Sequence, residues 1–273
     1  MSDDVPGPDS YPLGKVYSGG SHAIAAADWK AYAAATDDAE AAYDGAAPPM
    51  FHVRPFIRLM LEMAADPELA IDMLRLVHGE HAVRFHRLLL DGEQLEVKGT
   101  LEAVAVKPSG RIFTFGLEGT VDTDTVVSGT TSYFIRAANP PPRGPRKPAP
   151  ELPPVTWSLP QHVTDDQALR YAAASGDDNP IHTDPATAKA AGLPGCILHG
   201  LCTMAFAQRD LVAHYAAGEP QRLKELAVRF AKPVFPGDTL TLDVWEGDAG
   251  AVRFQTRDGK GKAVLTQGRA RFA

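Results

Sequence analysis

HAVRFHRLLLDGEQLEVKGTLEAV, residues His81–Val104, returns later in the chain as LAVRFAKPVFPGDTLTLDVWEG, residues Leu226–Gly247, with Ala-Val-Arg-Phe identical in the two copies. A second landmark precedes each copy: DWKAYAAATDD (Asp28–Asp38) is echoed by DQALRYAAASGDD (Asp166–Asp178). From Tyr32 to Ala82 the chain advances 50 positions, and from Tyr171 to Ala227 it advances 56. Two landmarks in the same order and at nearly the same separation point to a duplicated fold.

Each copy has the same coarse pattern. A short helix carries Tyr32 or Tyr171, and a polar loop follows. A longer apolar helix comes next, RPFIRLMLEMAADPELAIDMLRLV (Arg54–Val77) in the first copy and LHGLCTMAFAQRDLVAHYAAG (Leu198–Gly218) in the second. In the latter, Leu201, Met204, Ala205, Gln208, Leu211, Val212 and Tyr215 follow helical spacing and predict one buried stripe. KELAVRFAKPV, TLTLDVWEG with AVRFQTRD, and AVLTQGRARF then alternate as antiparallel strands, with FPGD and RDGKGK as turns between them. A long helix followed by an antiparallel meander is an α+β unit whose sheet wraps its helix. AANPPPRGPRKPAPELPPV (Ala137–Val155) contains eight prolines and is neither helix nor central strand. It separates a first unit, residues 1–136, from a second, residues 156–273, and should place the two sheets side by side.

The 273 residues are 44% hydrophobic and 22% charged, ordinary for a globular chain. A net charge of −7 argues against a phosphate-backbone grip, so no nucleic-acid partner is expected. Cys196 and Cys202 are too few for a disulfide framework and read as small apolar groups beside a helix. There is no long apolar run, and MSDDVPGPDS has no basic or apolar leader character. A cytoplasmic setting with no membrane partner is the expectation.

The chemistry concentrates in SGDDNPIHTDPATAKAAGLPGCILHG (Ser175–Gly200), which holds three aspartates, one asparagine, two histidines and four glycines. Asp177 and His182 are close enough in sequence for one loop to bring a carboxylate and an imidazole to a shared water, a general acid–base pair. Asn179-Pro180 breaks any helix at that point, and Gly176 lets the chain enter the turn. His199-Gly200 stands before the apolar helix, whose first N–H groups form an electropositive end suited to a carbonyl that gains negative charge. Read singly, the same residues have plainer roles. Asp177 can cap a turn, His182 can be a structural hydrogen bonder, and His182, Asp184 and His199 lack regular metal-ligand spacing, so no metal is expected.

YAAASGDDNPIHTDPATA, followed in order by ILHGLCTMAF and VRFAKPVFPGDTL, resembles the MaoC-like, or hydratase 2, family of (R)-specific enoyl-CoA hydratases. LVHGEHAVRFHRLLLDGE extends the resemblance to the first unit of the double hot-dog form, so that it runs from about Tyr11 to Phe272. It implies a double hot-dog: two antiparallel sheets, each around a long central helix. The implied reaction is reversible syn addition of water to a trans-2-enoyl thioester, an acyl-CoA serving as substrate with no further cofactor. By motif, Asp177 and His182 activate the water and manage the proton at Cα, Asn179 supports the loop, and the Gly200 N–H polarises the thioester carbonyl. His78, Gly79, Lys107 and Phe230 are implied along the acyl-CoA site, Lys107 on the strength of KPSG alone.

Aligning Tyr32 on Tyr171 sets Asp38 opposite Asp177 but Tyr43 opposite His182, with Glu40 for Asn179 and Asp37 for Gly176. One active site per chain follows, the first unit having lost its pair and shaping the acyl site. Two alternatives stand beside the hydratase. Dehydration of (R)-3-hydroxyacyl groups on an acidic carrier protein would draw on Arg143, Arg146 and Lys147 of the linker. Non-catalytic thioester binding would be expected had the pair been broken. Homodimer formation is left open by the sequence.

Overall fold

The computed structural model describes residues 7, 10–38, 43–142, 152–248 and 250–273. The linker cations Arg143, Arg146 and Lys147, and Glu40 of the first unit, lie outside them. In chain order the first unit comprises β1 (Val16–Ala23), α1 (Ala26–Ala35), α2 (Val53–Ala64), β2 (Leu76–Phe85), β3 (Gln94–Lys107), β4 (Gly110–Val121) and β5 (Asp124–Arg136). The second comprises β6 (Trp157–His162), α3 (Gln167–Ser175), α4 (Pro185–Ala190), α5 (Gly200–Tyr215), β7 (Leu223–Phe230), β8 (Thr239–Glu246), β9 (Ala251–Arg257) and β10 (Ala263–Phe272).

All ten strands form one sheet in the order β1-β3-β4-β5-β2-β7-β10-β9-β8-β6. Read inward from either edge, the two halves have the same strand order, which is the duplication in three dimensions. The expected pair of sheets is thus joined edge to edge into a single antiparallel surface. At the junction the repeated Ala-Val-Arg-Phe segments pair with each other: Ala82 lies opposite Ala227, Val83 opposite Leu226 and His81 opposite Val228. Arg84 reaches Glu225 at 2.8 Å, and the equivalent Arg229 and Glu80 lie 3.8 Å apart. The other landmark also meets its copy, with the Tyr32 and Tyr171 hydroxyls 3.3 Å apart in the core. The molecule therefore has an internal two-fold axis that runs between like residues.

α2 packs against β1 and β3, and α5 against β7 and β10. α2 buries Phe56, Leu59, Met60 and Met63 and is shorter than the apolar run suggests. The chain leaves helix after Ala64, where Asp66-Pro67 starts a 3-10 turn and the Asp66 side chain accepts from the Glu68 N–H. Proline disfavours helix at the preceding residue, so the helical spacing beyond it cannot be used. α5 carries the predicted stripe, but Cys202, Thr203, Phe206, Ala207 and Asp210 are buried as well. Sheet covers one side of this helix and the first unit the other, and a helix enclosed in that way is buried nearly all round. Its polar residues reach across: Gln208 donates to the Tyr43 hydroxyl at 3.3 Å, and Arg209 to the Thr36 and Asp37 carbonyls at 3.3 and 3.2 Å.

The edge strands β1 and β6 carry weak patterns. β1 is interrupted at Gly19-Gly20, where its register shifts, and β6 contains Pro160, which is tolerated because only β8 flanks it. Cys202 is a buried thiol of α5, as expected, whereas Cys196 is half-buried in the preceding loop and not on the helix.

The junction leaves no room at Gly129 of β5, where a β-carbon would run into the Ala82 carbonyl oxygen of β2. Gly129→Val should cost about 1–3 kcal/mol, the usual range for overpacking. Urea or thermal unfolding measures it, and wild-type stability would show that the β2–β5 spacing is not held by this contact.

Candidate active site

The loop from α3 to α5 is built from short local hydrogen bonds. Gly176 ends α3 in the left-handed region at φ 78°, which a side-chain-bearing residue would resist. The Asp177 carboxylate accepts from the Asn179 N–H, and the Asn179 side chain accepts from the Ile181 N–H, each at 3.3 Å. Asn179 thus shapes the loop. Asp184 caps α4 by accepting from the Ala186 and Thr187 N–H groups, which accounts for it without any part in the site. Asp178 is exposed.

The imidazole of His182 donates from Nδ1 to the Ile197 carbonyl at 2.8 Å, which leaves Nε2 as its free nitrogen. Donor atoms of Asp177, His182 and His199 all lie within 4.8 Å of one another. The His182 and His199 rings stack with centroids 3.7 Å apart, and His199 Nε2 donates to the Asp177 carbonyl at 3.0 Å. The three side chains are a donor set that a divalent ion could use only if the stacked rings turned apart, because parallel rings aim their lone pairs along parallel lines. Burial pushes the Asp177 carboxyl up, with the His182 charge opposing, and pushes the His182 imidazole down, with Asp177 opposing. Both shifts disfavour the doubly charged pair. His199 is depressed to about 3, first by burial and then by His182, and is neutral across the physiological range.

Gly200 is the first residue of α5. A β-carbon there would stand 2.8 Å from Cδ1 of Phe230, whose ring closes over the helix entry. The same ring lies 4.5 Å from that of His78. His78 sits on β2 opposite Tyr133 of β5, and its Nε2 lies 2.8 Å from the Thr131 hydroxyl. Gly79 marks a register shift in β2, where a β-carbon would press on the Ser132 hydroxyl at 2.9 Å. The structure therefore brings Asp177, His182, Gly200, Phe230 and His78 to one place, with Gly79 beside them. Lys107 is exposed at the end of β3, three strand spacings from β2, roughly 14 Å.

Three residues near the site were not singled out by the sequence. The Tyr133 hydroxyl is pushed up by burial and then by the Asp177 charge, which places it within the field of the pair. His52 and His81 form a buried pair in the first unit with their Nε2 atoms 3.3 Å apart. Only strand register puts Tyr133 beside His78, and no local motif signals it. A cavity of about 780 Å³ opens on the solvent face of the sheet over the β2–β7 junction, lined by Arg84, Lys98, Glu225, Arg253 and Arg269 among others. It holds no residue of the pair, and the chemistry lies on the helix side.

In the first unit the equivalent positions have changed. Tyr43 donates to the Asp38 carboxylate at 2.6 Å where His182 would face Asp177, and α2 begins at Val53 where α5 begins at Gly200. Among the described residues, the first unit has a tyrosine in place of the His182 imidazole and a side chain at its helix entry, and so lacks two parts of the constellation.

Residues 149–268 match the family profile described as MaoC like domain, and residues 13–128 that described as FAS1-like, dehydratase domain region. A 3-hydroxyacyl-thioester dehydratase Y from Mycobacterium tuberculosis is 35% identical over 211 residues, 72% of either chain. A probable enoyl-CoA hydratase 2 from Dictyostelium discoideum is 39% identical over 109 residues, 40% of this chain and 37% of that protein. The full-length peroxisomal multifunctional enzyme type 2 from Drosophila melanogaster superposes with a TM-score of 0.77 at 27% identity, covering 96% of this chain and 48% of the other. The chain thus spans about a third to a half of these last two proteins. No helix among the described residues is long and apolar enough to cross a membrane.

Three buried imidazoles set an acid limit on the fold. His52 and His78 are held at about 4 and His199 at about 3 by burial, against 6.5 when exposed. Below pH 6.5 the unfolded chain binds protons that the folded chain refuses. Stability should therefore be full above pH 6.5 and fall toward pH 4, by up to about 4 kcal/mol per pH unit for three such groups. Thermal unfolding at pH 7.5, 6 and 5 tests this, and an unchanged midpoint across that range would contradict it.

Proposed function

The chain belongs to the MaoC-like dehydratase family, and from the convergence of Asp177, His182 and the Gly200 helix entry we propose that it is an (R)-specific 2-enoyl-CoA hydratase. It is a hydro-lyase that adds water reversibly and syn to trans-2-enoyl-CoA, giving (R)-3-hydroxyacyl-CoA. The observation that carries this reading is the placement of a carboxylate and a free imidazole Nε2 beside a helix N-terminus kept bare by glycine.

Water held between the Asp177 carboxylate and His182 Nε2 loses a proton to the pair as its oxygen bonds to Cβ. The π electrons move toward the thioester oxygen, where the Gly200 N–H stabilises the developing enolate. The pair then returns a proton to Cα on the face from which water came, which makes the addition syn. Burial suits this exchange, since a pair kept from double charge can take up and release a proton at little cost. Asn179 holds the loop, and the Tyr133 hydroxyl of the first unit, which donates to the Met60 carbonyl, feels the Asp177 charge. His78, Gly79 and Phe230 border the thioester, and Lys107 at the sheet end offers a cation to a CoA phosphate. The acyl-CoA is the substrate, and the steps call for no cofactor.

Purified protein added to crotonyl-CoA and longer enoyl-CoAs should bleach the absorbance of the conjugated thioester. Folded protein that leaves every chain length unchanged would refute the assignment, and turnover only of carrier-protein thioesters would assign the substrate to that carrier instead. Asp177→Asn and His182→Ala should each lower turnover by ~10²-fold or more, the usual contribution of a general acid–base group. Gly200→Ala should lower kcat more than KM, because its β-carbon would disturb Phe230 and the thioester approach together. Near-wild-type rates in the first two variants would reject the roles given to the pair.

A further inference from the structure

We propose that His199 is a positioning residue that locks the His182 ring and the Asp177 main chain to the first turn of α5, so that the acid–base pair and the carbonyl-binding N–H move as one body. The proposal rests on the hydratase reading for its catalytic consequence but not for its geometry.

Three contacts carry it. The His199 ring stacks on His182 with centroids 3.7 Å apart and planes inclined by 24°. Its Nε2–H is spent on the Asp177 carbonyl at 3.0 Å. Its own carbonyl accepts from the Cys202 and Thr203 N–H groups at 3.1 and 3.2 Å, which makes His199 the cap of α5 immediately before Gly200. Tyr171 backs the ring at 4.9 Å. One residue therefore touches the base, the carboxylate's main chain and the helix that carries the N–H donor.

A further observation separates this role from ordinary core packing. His199 Nδ1 is buried and has no hydrogen-bond partner. A buried polar atom left unpaired costs about 1–3 kcal/mol, which an apolar ring of similar size would avoid. What such a ring would lack is the N–H that ties Asp177. The first unit provides an internal comparison. His52 caps α2 as His199 caps α5, yet its nitrogens go to the Pro49 carbonyl and to His81. Histidine stands at both helix entries, but only the one beside a carboxylate–imidazole pair is turned onto that pair.

The test compares wild type with His199→Ala, which removes ring and donor, and His199→Phe, which keeps a stacked ring and removes only the donor. Two quantities are read: kinetics on crotonyl-CoA, and the His182 imidazole titration followed by 15N NMR. The titratable groups that act on His182 or on its partner Asp177 are Asp177 itself, Asp178, Tyr133, Tyr171 and His199, and only the last is changed. His199→Ala should let water onto His182 and raise its titration midpoint, because burial is what holds it down. It should cut kcat by ~10–100-fold with KM within about threefold, as a misplacement of order 1 Å does. His199→Phe should fall between Ala and wild type in kcat. A folded His199→Ala with wild-type kcat and an unmoved His182 midpoint would overturn the proposal. Should His199→Ala not fold, wild-type kcat and midpoint in His199→Phe would overturn the role of the N–H, and a lowered kcat would support it. Wild-type protein inactive on every thioester would defeat the hydratase reading, while the NMR titration would still decide the positioning role.

Discussion

The structure depends on one self-complementary contact: the antiparallel pairing of Ala-Val-Arg-Phe in β2 with its own copy in β7. Because the strands run in opposite directions, identical sequences meet about a two-fold axis, and Ala82 faces Ala227. Two small residues at the axis let the strands pair without a steric quarrel, and each Arg finds the Glu of the other copy. The exposed ion pairs add little by themselves. Their use is registration, since a slip of one residue would set Arg84 opposite Lys224 or Leu226 in place of Glu225 and turn the buried side chains outward. Closing the junction also leaves β1 and β6 as the two edges of the sheet, where four would have been exposed.

The geometry of the candidate site follows from that junction. Phe230 ends the β7 copy of the motif and lies on Gly200, while His78 lies near the start of β2 and meets the same ring. A single unit would hold Asp177, His182 and Gly200 but would leave one wall of the site open. Duplication supplies that wall from the other copy, and the other copy is then free to lose its own chemistry. Tyr43 answers Asp38 with a donating hydroxyl far less basic than imidazole, and burial makes it hold its own proton more firmly. Val53 puts a side chain where Gly200 has none. Either change alone would weaken a second site of this kind.

Much of this was legible because repeated residues were also the structurally decisive ones. The motif forms the junction, Tyr32 and Tyr171 meet in the core, and Gly-Asp-Asp-Asn-Pro-Ile-His forms the loop that sequence spacing suggested. What was not legible depended on neighbours distant in sequence. β1 and β6 have glycine and proline where an interior strand would be apolar, since an edge strand satisfies only one ladder. α2 stops at a proline rule that its apolar spacing conceals. The all-round burial of α5 shows only once the first unit covers its polar face, where Gln208 and Arg209 find their partners. Tyr133 and His81 take their significance from register alone.

Burial sets the opposing demands on the site. The pair needs exclusion of water for the Gly200 N–H to act strongly on a developing charge. The same exclusion raises Asp177 and lowers His182, so the environment that would favour the proposed enolate disfavours both ions of the pair. The loop meets this by supplying fixed dipoles in place of water. The Asn179 N–H steadies the carboxylate, and the Ile197 carbonyl holds the imidazole in the tautomer that leaves Nε2 bare. A neutral histidine stacked on that imidazole excludes water without adding charge, which a lysine or arginine in its place could not do. Uncharged rings thus pack against the imidazole, and the polarity of the candidate site is concentrated in Asp177, His182 and the Gly200 helix entry.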